Sequence, residues 1–161
     1  MTAEVRPSVL IVDDTEANLV ALEALLEDCE CDLVRAKNGN EALRQLLKHE
    51  FAVMLLDVQM PEMDGYEVAS YARNNPATRE VPIIFLTATH RTEANVLRGY
   101  GSGAVDFLFK PLDPVILRSK VRIFLELYMA KRQIYEAKAA AELAYRELQH
   151  TQAQLVQSAK M

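Results

Sequence analysis

The chain has 161 residues, of which 50% are hydrophobic and 25% are charged, and its formal net charge is −5. This balance excludes a disordered chain and predicts one ordinary domain with a modest extension. No apolar run reaches the ~18 residues of a membrane span, and no basic segment with an apolar signal core opens the chain, so we expect a cytoplasmic protein.

Uninterrupted apolar runs alternate with segments of helical periodicity over the first two thirds of the chain. Runs that are apolar throughout are typical of strands buried on both faces of a parallel sheet. We predict strands over residues 8–13, 32–36, 52–57, 81–86 and 105–108. We predict helices over residues 16–28, 41–48, 66–73 and 93–100. This alternation indicates an α/β fold whose crossover connections are right-handed.

The pattern changes from about Pro114, because the chain beyond it contains no glycine or proline and keeps a helical period. Apolar or small residues recur there at alternating steps of four and three, which is the spacing of a coiled-coil seam. The seam begins at Ile123. Its a positions are Leu127, Ile134, Ala141, Leu148 and Leu155, and most of its d positions are alanine. We therefore predict a domain over residues 1–122 and a coiled-coil helix over residues 123–161 that forms a homodimer.

A single amphipathic helix folded back on its own domain is the alternative interpretation of this segment. Residues 123–160 would form a helix ~55 Å long, and the domain already has five predicted helices around its sheet, counting the one that follows the fifth strand. Each alanine at d forgoes ~2 kcal/mol relative to leucine, so the paired helices are expected to be marginally stable unless they pack closely. The basic residues of the tail are spread along the helix, which indicates a solvated surface and no nucleic-acid partner.

Polar side chains stand where four of the predicted strands end. Asp13 and Asp14 end the first strand, Asp57 ends the third, Thr87 follows the fourth and Lys110 follows the fifth. Ligands bind at the carboxyl ends of the strands in an open parallel sheet, so these side chains are expected to converge.

The carboxylates, the hydroxyl and the lysine at these strand ends together indicate which ligands the site would bind. Two carboxylates ~4 Å apart repel by ~4 kcal/mol at an effective dielectric constant of 20, so a cluster of three either keeps a proton or binds a cation. Oxygen ligands alone favour Mg²⁺. Acids, Mg²⁺, a hydroxyl and a lysine together form a site for a phosphoryl group, for which Asp57 is the candidate nucleophile.

The ordered motifs closely resemble the receiver domain of two-component response regulators over residues 7–122. They are Asp13-Asp14, Asp57, Met60-Pro61 with Asp64-Gly65, Thr87-Ala88 and Lys110-Pro111. The resemblance implies a doubly wound, five-stranded parallel sheet of strand order 2-1-3-4-5. It also implies phosphoryl transfer to Asp57 from a phosphohistidine on a histidine kinase or a phosphotransfer protein.

The same resemblance implies roles for individual residues around Asp57. Asp14, Asp57 and the backbone carbonyl of Gln59 would hold Mg²⁺, and Asp13 would assist through water. Lys110 would contact the phosphoryl oxygens, and the peptide bond that follows it would be cis.

The resemblance also implies a switch pair, Thr87 and Phe107. Thr87 would contact the phosphoryl oxygens, and in the family an aromatic residue turns inward when this hydroxyl is drawn toward the phosphoryl group. Family members often carry tyrosine where this chain has Phe107, which can swing in the same way but has no hydroxyl to bond. That Phe107 is an ordinary core residue is the alternative.

Residues 152–161 resemble the segment that precedes the dimerisation helix of many sensor histidine kinases. We therefore expect the chain to be a piece of a longer protein with a histidine kinase as its output, and no independent enzyme here beyond self-phosphorylation and dephosphorylation. A diguanylate cyclase or a phosphatase joined through a coiled coil remains open, as does a dimeric scaffold that acts without phosphorylation. A second dimer contact is expected on the face formed by the helix over residues 93–100, the fifth strand and the helix after it.

Overall fold

The computed structural model of the chain describes residues 5–88 and 106–159. The chain divides into two compact units, residues 1–126 and residues 127–161. Within the described ranges, no helix combines the length and the apolarity that crossing a membrane requires. The helix predicted over residues 93–100 lies outside the described residues.

A five-stranded parallel sheet forms the centre of the first unit, in the strand order β2-β1-β3-β4-β5. The strands are β1 (Ser8–Val12), β2 (Asp32–Ala36), β3 (Val53–Asp57), β4 (Ile83–Thr87) and β5 (Asp106–Phe109). The described helices are α1 (Glu16–Leu25), α2 (Gly39–Lys48), α3 (Gly65–Asn74) and α4 (Pro114–Ala159). The predicted α/β class and strand order are thus confirmed.

The three central strands are buried along almost their whole length, as their continuous apolar sequence predicts. Alternate residues of β1 and β3 belong to one core cluster, to which α2 and α3 contribute their apolar faces. This cluster contains Leu10, Met54, Leu56, Phe85 and Val68. Because the central strands are covered on both faces, they can carry polar groups only at their ends, whereas the edge strand β2 exposes Arg35 in part.

Side-chain caps fix where three helices begin. The Asn38 side chain accepts a hydrogen bond from the Glu41 backbone N–H at 2.8 Å, and the Asp64 side chain accepts one from the Glu67 N–H at 2.9 Å. Asp113 accepts hydrogen bonds from two backbone N–H groups in the first turn of α4, next to Pro114 at its first position. These acceptors satisfy N–H groups that no helical carbonyl can reach.

Several predicted boundaries differ from the observed ones by one to three residues, and two of these differences have identifiable reasons. The first helix ends at Leu25 and not at residue 28, because Glu27 and Asp28 would place negative charge at the negative end of the helix dipole. β4 begins at Ile83 and not at residue 81, because Pro82 has no N–H to give to a neighbouring strand.

The second unit is the part of α4 from Leu127 onward. None of its described residues is buried. Four large residues of the predicted seam have exposed fractions of 59% for Leu127, 67% for Ile134, 55% for Leu148 and 64% for Leu155. Ala141 is exposed as well. The predicted long helix is confirmed, since α4 runs without a break from Pro114 to Ala159. The pairing of this helix into a coiled coil stays a prediction.

Gly65 lies where β3 and α3 come closest, and its replacement should be costly. A Cβ at Gly65 would stand 2.5 Å from the Asp57 carbonyl oxygen and 2.9 Å from the Val58 Cα, and neither backbone atom can move without displacing the strand. Gly65→Ala is therefore expected to lower the free energy of unfolding by at least ~2 kcal/mol, measured by urea denaturation.

Gly39→Ala is the matched control, since Gly39 also begins a helix. Its added Cβ would meet the Met63 Sδ at 2.5 Å and the Val68 Cγ2 at 2.9 Å, and these side-chain atoms can move aside more easily than backbone. A smaller loss of stability is expected. Equal losses in the two variants would contradict this account of the contact at Gly65.

Candidate functional site

Three carboxylates cluster where β1 and β3 end. Val12 pairs with Leu56 in the sheet, so the residues that follow them, Asp13 and Asp57, lie side by side. One ligand oxygen from each of Asp13, Asp14 and Asp57 lies within 4.8 Å of the others. Asp13 and Asp57 are buried and Asp14 is exposed. The convergence predicted from the strand ends is thus present for these acids.

Lys110 brings a positive charge to the cluster from the end of β5. Its Nζ lies 3.4 Å from Asp13 Oδ2 and 3.5 Å from Asp57 Oδ1. Both distances exceed the ~2.8 Å of a close charge-assisted hydrogen bond, so the ammonium group is shared between the two acids and held tightly by neither. The peptide bond between Lys110 and Pro111 is cis, as the resemblance implied.

Asp13 has its carboxylate fixed from two sides. Its Oδ1 accepts hydrogen bonds from the Thr15 backbone N–H at 2.9 Å and from the Asn18 Nδ2 at 3.2 Å. Its Oδ2 faces Lys110. The sequence reasoning missed Asn18, although a polar residue between apolar neighbours in the first turn after Asp13-Asp14 is a signal that could have indicated it.

Thr87 is the last residue of β4 and is buried. Leu86 pairs with Asp57, so Thr87 lies one residue beyond the end of β3. The Thr87 carbonyl accepts a hydrogen bond of 2.8 Å from the Lys110 backbone N–H, which ties the ends of β4 and β5 together. The hydroxyl and the lysine of the predicted site therefore stand on adjacent strand ends.

Phe107 lies in the core, in a row of aromatic rings. Its ring centroid is 5.3 Å from that of Phe85 and 6.3 Å from that of Phe109. Tyr66, in the first turn of α3, extends the row with its ring 5.0 Å from that of Phe85. The structure thus places Phe107 among core aromatics, and its predicted swing stays a prediction.

Gln59 is exposed in the loop that follows β3. Its backbone N–H lies close enough to the Asp57 carboxylate to favour the ionised form and so to lower the pKa of that group. Three residues further, Glu62 has a φ of 68°, a left-handed conformation that is uncommon for a residue with a side chain. The loop backbone is therefore bent close to the predicted acceptor.

The pKa of the Asp57 carboxyl group is well above its ordinary value. Burial, followed by the neighbouring Asp13 carboxylate, raises the pKa of its carboxyl group from 3.8 to about 6, while Lys110 and the Gln59 N–H act against this rise. Desolvation and like charge thus both make the ionised form costly in the absence of a cation. An oxygen-only donor set with excess negative charge fits Mg²⁺ better than a softer metal.

A groove of about 230 Å³ opens beside the carboxylates. One wall comes from α1 and the other from the segment after β5, and Leu86 lies between them. The lining residues are Asp13, Asn18, Ala21, Leu22, Leu25, Leu86, Lys110, Pro111 and Leu112. A mostly apolar groove that ends at charged groups can hold an apolar partner surface and direct a reactive group toward the acids.

The fold and the pocket together define a doubly wound α/β domain with an acidic site at the carboxyl ends of its strands. Residues 9–122 match the family model of the response regulator receiver domain. Because this match covers well over half of the chain, the chain belongs to the response regulator receiver domain family.

Two curated relatives illustrate the family. A probable cyclic di-GMP phosphodiesterase of Vibrio cholerae is 38% identical over 74% of this chain and 26% of its own length. The response regulator PleD of Caulobacter vibrioides is 40% identical over 71% of this chain and 25% of its own length. The chain therefore spans about a quarter of the length of these relatives.

A solved structure supports the same fold. The signal receiver domain of a signal transduction histidine kinase from Syntrophus aciditrophicus superposes with a TM-score of 0.68 and is 34% identical. The superposition covers 74% of this chain and 90% of that chain.

The raised pKa of Asp57 predicts an inverted pH dependence of stability in metal-free protein. The folded state keeps the Asp57 proton between pH 4 and 6, where the unfolded state has lost it, so this group makes folding less favourable as the pH rises through that window. At pH 7 the penalty is about 3 kcal/mol. Asp57→Asn should remove it and raise the free energy of unfolding at pH 7 by that order.

Urea unfolding of both proteins with EDTA at pH 4, 5, 6 and 7 measures this penalty as the stability difference between them. The difference should be small near pH 4 and grow toward pH 7. A difference that is constant with pH, or that favours the wild type at pH 7, would refute the prediction.

Proposed function

We propose that this chain is a phosphoacceptor module in which Asp57 receives a phosphoryl group from a phosphohistidine partner in a Mg²⁺-dependent reaction. The observation that carries the proposal is the position of Asp57, buried at the end of β3 among further carboxylates and within 3.5 Å of the Lys110 Nζ. A histidine kinase or a phosphotransfer protein is the proposed donor.

In the proposed reaction an Asp57 carboxylate oxygen attacks the phosphorus atom, the phosphorus–nitrogen bond breaks, and the imidazole leaves with the bonding electrons. Asp14, Asp57 and the Gln59 carbonyl would hold Mg²⁺, with Asp13 acting through water. The bound ion would supply positive charge for the carboxylates and the phosphoryl oxygens. The ionised form of Asp57 is the nucleophile, and its cost in the metal-free site explains why the cation is needed.

Lys110 and Thr87 are proposed to contact the phosphoryl oxygens. The long contacts of Lys110 to two acids leave its ammonium group able to move onto an incoming anion without losing a strong existing bond. Movement of the Thr87 hydroxyl toward the same anion would pull on the end of β4, to which β5 is bonded through the Lys110 N–H. Phe107 on β5 is the proposed second member of this switch.

The phosphohistidine donor is proposed to approach over α1. The groove ends at Asp13 and Lys110, and the neighbouring surface of α1 exposes Val20, of which 51% is accessible, together with small alanine side chains. An apolar surface next to the acceptor suits a helical partner that presents an imidazole at its edge.

The proposed output element is a homodimer formed through α4. Its seam residues are exposed and lie at the spacing of a parallel coiled coil, and Glu126 would face Lys131 of the second copy. A row of exposed large apolar residues on one helix is unfavourable unless something covers it. The second dimer contact expected from the sequence involves the helix predicted over residues 93–100, which lies outside the described residues, together with β5 and α4; it stays a proposal.

A histidine kinase is the proposed output domain of the whole protein. The 34% identity to a receiver domain from a signal transduction histidine kinase supports it. An output that acts on cyclic di-GMP is the second candidate, supported by the 38% identity to a probable cyclic di-GMP phosphodiesterase. Assays of the full-length protein for phosphorylation by ATP and for turnover of cyclic di-GMP decide between them.

Labelling by acetyl phosphate tests the acceptor. Wild-type protein should gain one phosphoryl group in intact-protein mass spectra when Mg²⁺ is present, and EDTA should prevent the gain. Asp57→Asn should abolish it, whereas the control Asp28→Asn, which changes an exposed acid outside the cluster, should label normally.

Either of two results would decide against the proposal. Undiminished labelling of Asp57→Asn would place the acceptor elsewhere. Wild-type protein that is never labelled would favour the alternative of a dimeric scaffold that acts without phosphorylation.

Light scattering behind a sizing column tests the dimer. Leu148→Lys combined with Leu155→Lys places charges in the proposed seam and should turn a dimer into a monomer. Leu143→Lys is the matched control, because Leu143 is similarly exposed, at 58%, but lies off the seam. Wild-type protein that is monomeric, or a control as disruptive as the seam variant, would contradict the pairing.

A further inference from the structure

We propose that Asn18 is a positioning residue of the acidic site, which holds Asp13 in the orientation needed for Mg²⁺ binding. The inference rests on the proposed function and adds to it a residue that touches neither the cation nor the phosphoryl group. Its basis is the 3.2 Å hydrogen bond from the Asn18 Nδ2 to Asp13 Oδ1.

Asp13 is buried, so its carboxylate depends on protein donors for most of the hydrogen bonds that water supplies to an exposed carboxylate. Its two oxygens have different partners, since Oδ1 accepts from Thr15 and Asn18 while Oδ2 faces the Lys110 ammonium group. One backbone bond alone would leave the carboxylate free to turn about it. The second donor, from Asn18, fixes the plane of the carboxylate and therefore the direction of Oδ2.

The direction of Oδ2 matters because Lys110 is shared. The Lys110 Nζ lies 3.4 Å from Asp13 and 3.5 Å from Asp57, so the two acids hold it between them. If Asp13 turned away, the ammonium group would move toward Asp57 and compete there with an incoming cation. Residues that orient charged groups around a metal in this way typically change metal affinity by ~10–100-fold when they are replaced.

Helix formation gives no reason for asparagine at this position. Asparagine is a poor helix former, and the neighbouring residues of α1 are mostly apolar. Asn18 also lies inside the helix and not at its cap, which is Thr15. Asparagine at this position therefore lowers the helix propensity of α1 but satisfies the buried Asp13 carboxylate. A loss of Mg²⁺ affinity much larger than any loss of stability would separate a positioning role from a structural one.

Titration calorimetry with Mg²⁺ at pH 8 tests the inference on the intact chain. Asn18→Leu, which keeps the approximate size but has no donor, should raise the Mg²⁺ dissociation constant at least tenfold. Its thermal midpoint should fall only slightly, because the better helix propensity of leucine partly offsets the lost hydrogen bond to Asp13. Asn18→Gln retains an amide donor and should recover part of the affinity. The matched control is Asn40→Leu, at an exposed asparagine in the first turn of α2, which should bind like wild type.

Labelling with acetyl phosphate supplies the second readout. Asn18→Leu should need more Mg²⁺ for half-maximal labelling yet reach nearly the wild-type rate at saturation, whereas Lys110→Ala should stay slow at any Mg²⁺ concentration. A dissociation constant of Asn18→Leu within twofold of wild type would overturn the inference and leave the proposed function standing. Wild-type protein that binds no Mg²⁺ would instead overturn the proposed function, and the inference with it.

Discussion

The repulsion between the Asp13 and Asp57 carboxylates is the constraint on which the rest of this structure depends. Two buried acids lie side by side with the exposed Asp14 next to them, and Lys110 is shared at 3.4 and 3.5 Å. One ammonium group cannot neutralise three carboxylates. Burial, together with this excess of negative charge, raises the pKa of Asp57 to about 6, and a bound divalent cation would relieve the unfavourable charge balance.

The sheet places the carboxylates close together, and it also connects their site to α4. Parallel strands bring the ends of β1 and β3 together, and the close approach of Gly65 to the Asp57 carbonyl fixes the loop that follows. On the other side, the bond between the Lys110 N–H and the Thr87 carbonyl joins the ends of β4 and β5. β5 leads directly to α4, so a change of charge at Asp57 has a short covalent and hydrogen-bonded path to the proposed dimer helix.

The sequence allowed the sheet to be predicted because strands buried on both faces are apolar throughout, and β2 was predicted with the bounds that it has. The acids and Lys110 could be predicted for a related reason, since in such a sheet polar side chains are expected where the strands end. Asn18 is marked in the sequence only by its polarity among apolar neighbours, because its bond to Asp13 depends on how α1 is rotated against β1. The first-turn glycine of α3 was also missed, since Asp64-Gly65 is typical of a loop until Asp64 is seen to cap the helix.

Proton release on Mg²⁺ binding tests the central claim most directly. At pH 6 about half of the Asp57 carboxyl groups carry a proton, and the cation can bind fully only when that proton leaves. Calorimetry in two buffers of different ionisation enthalpy should therefore show release of roughly half a proton per Mg²⁺ at pH 6 and almost none at pH 8. Binding with no proton release at pH 6 would show that Asp57 is already ionised there, and the account of a charge imbalance relieved by the cation would be wrong.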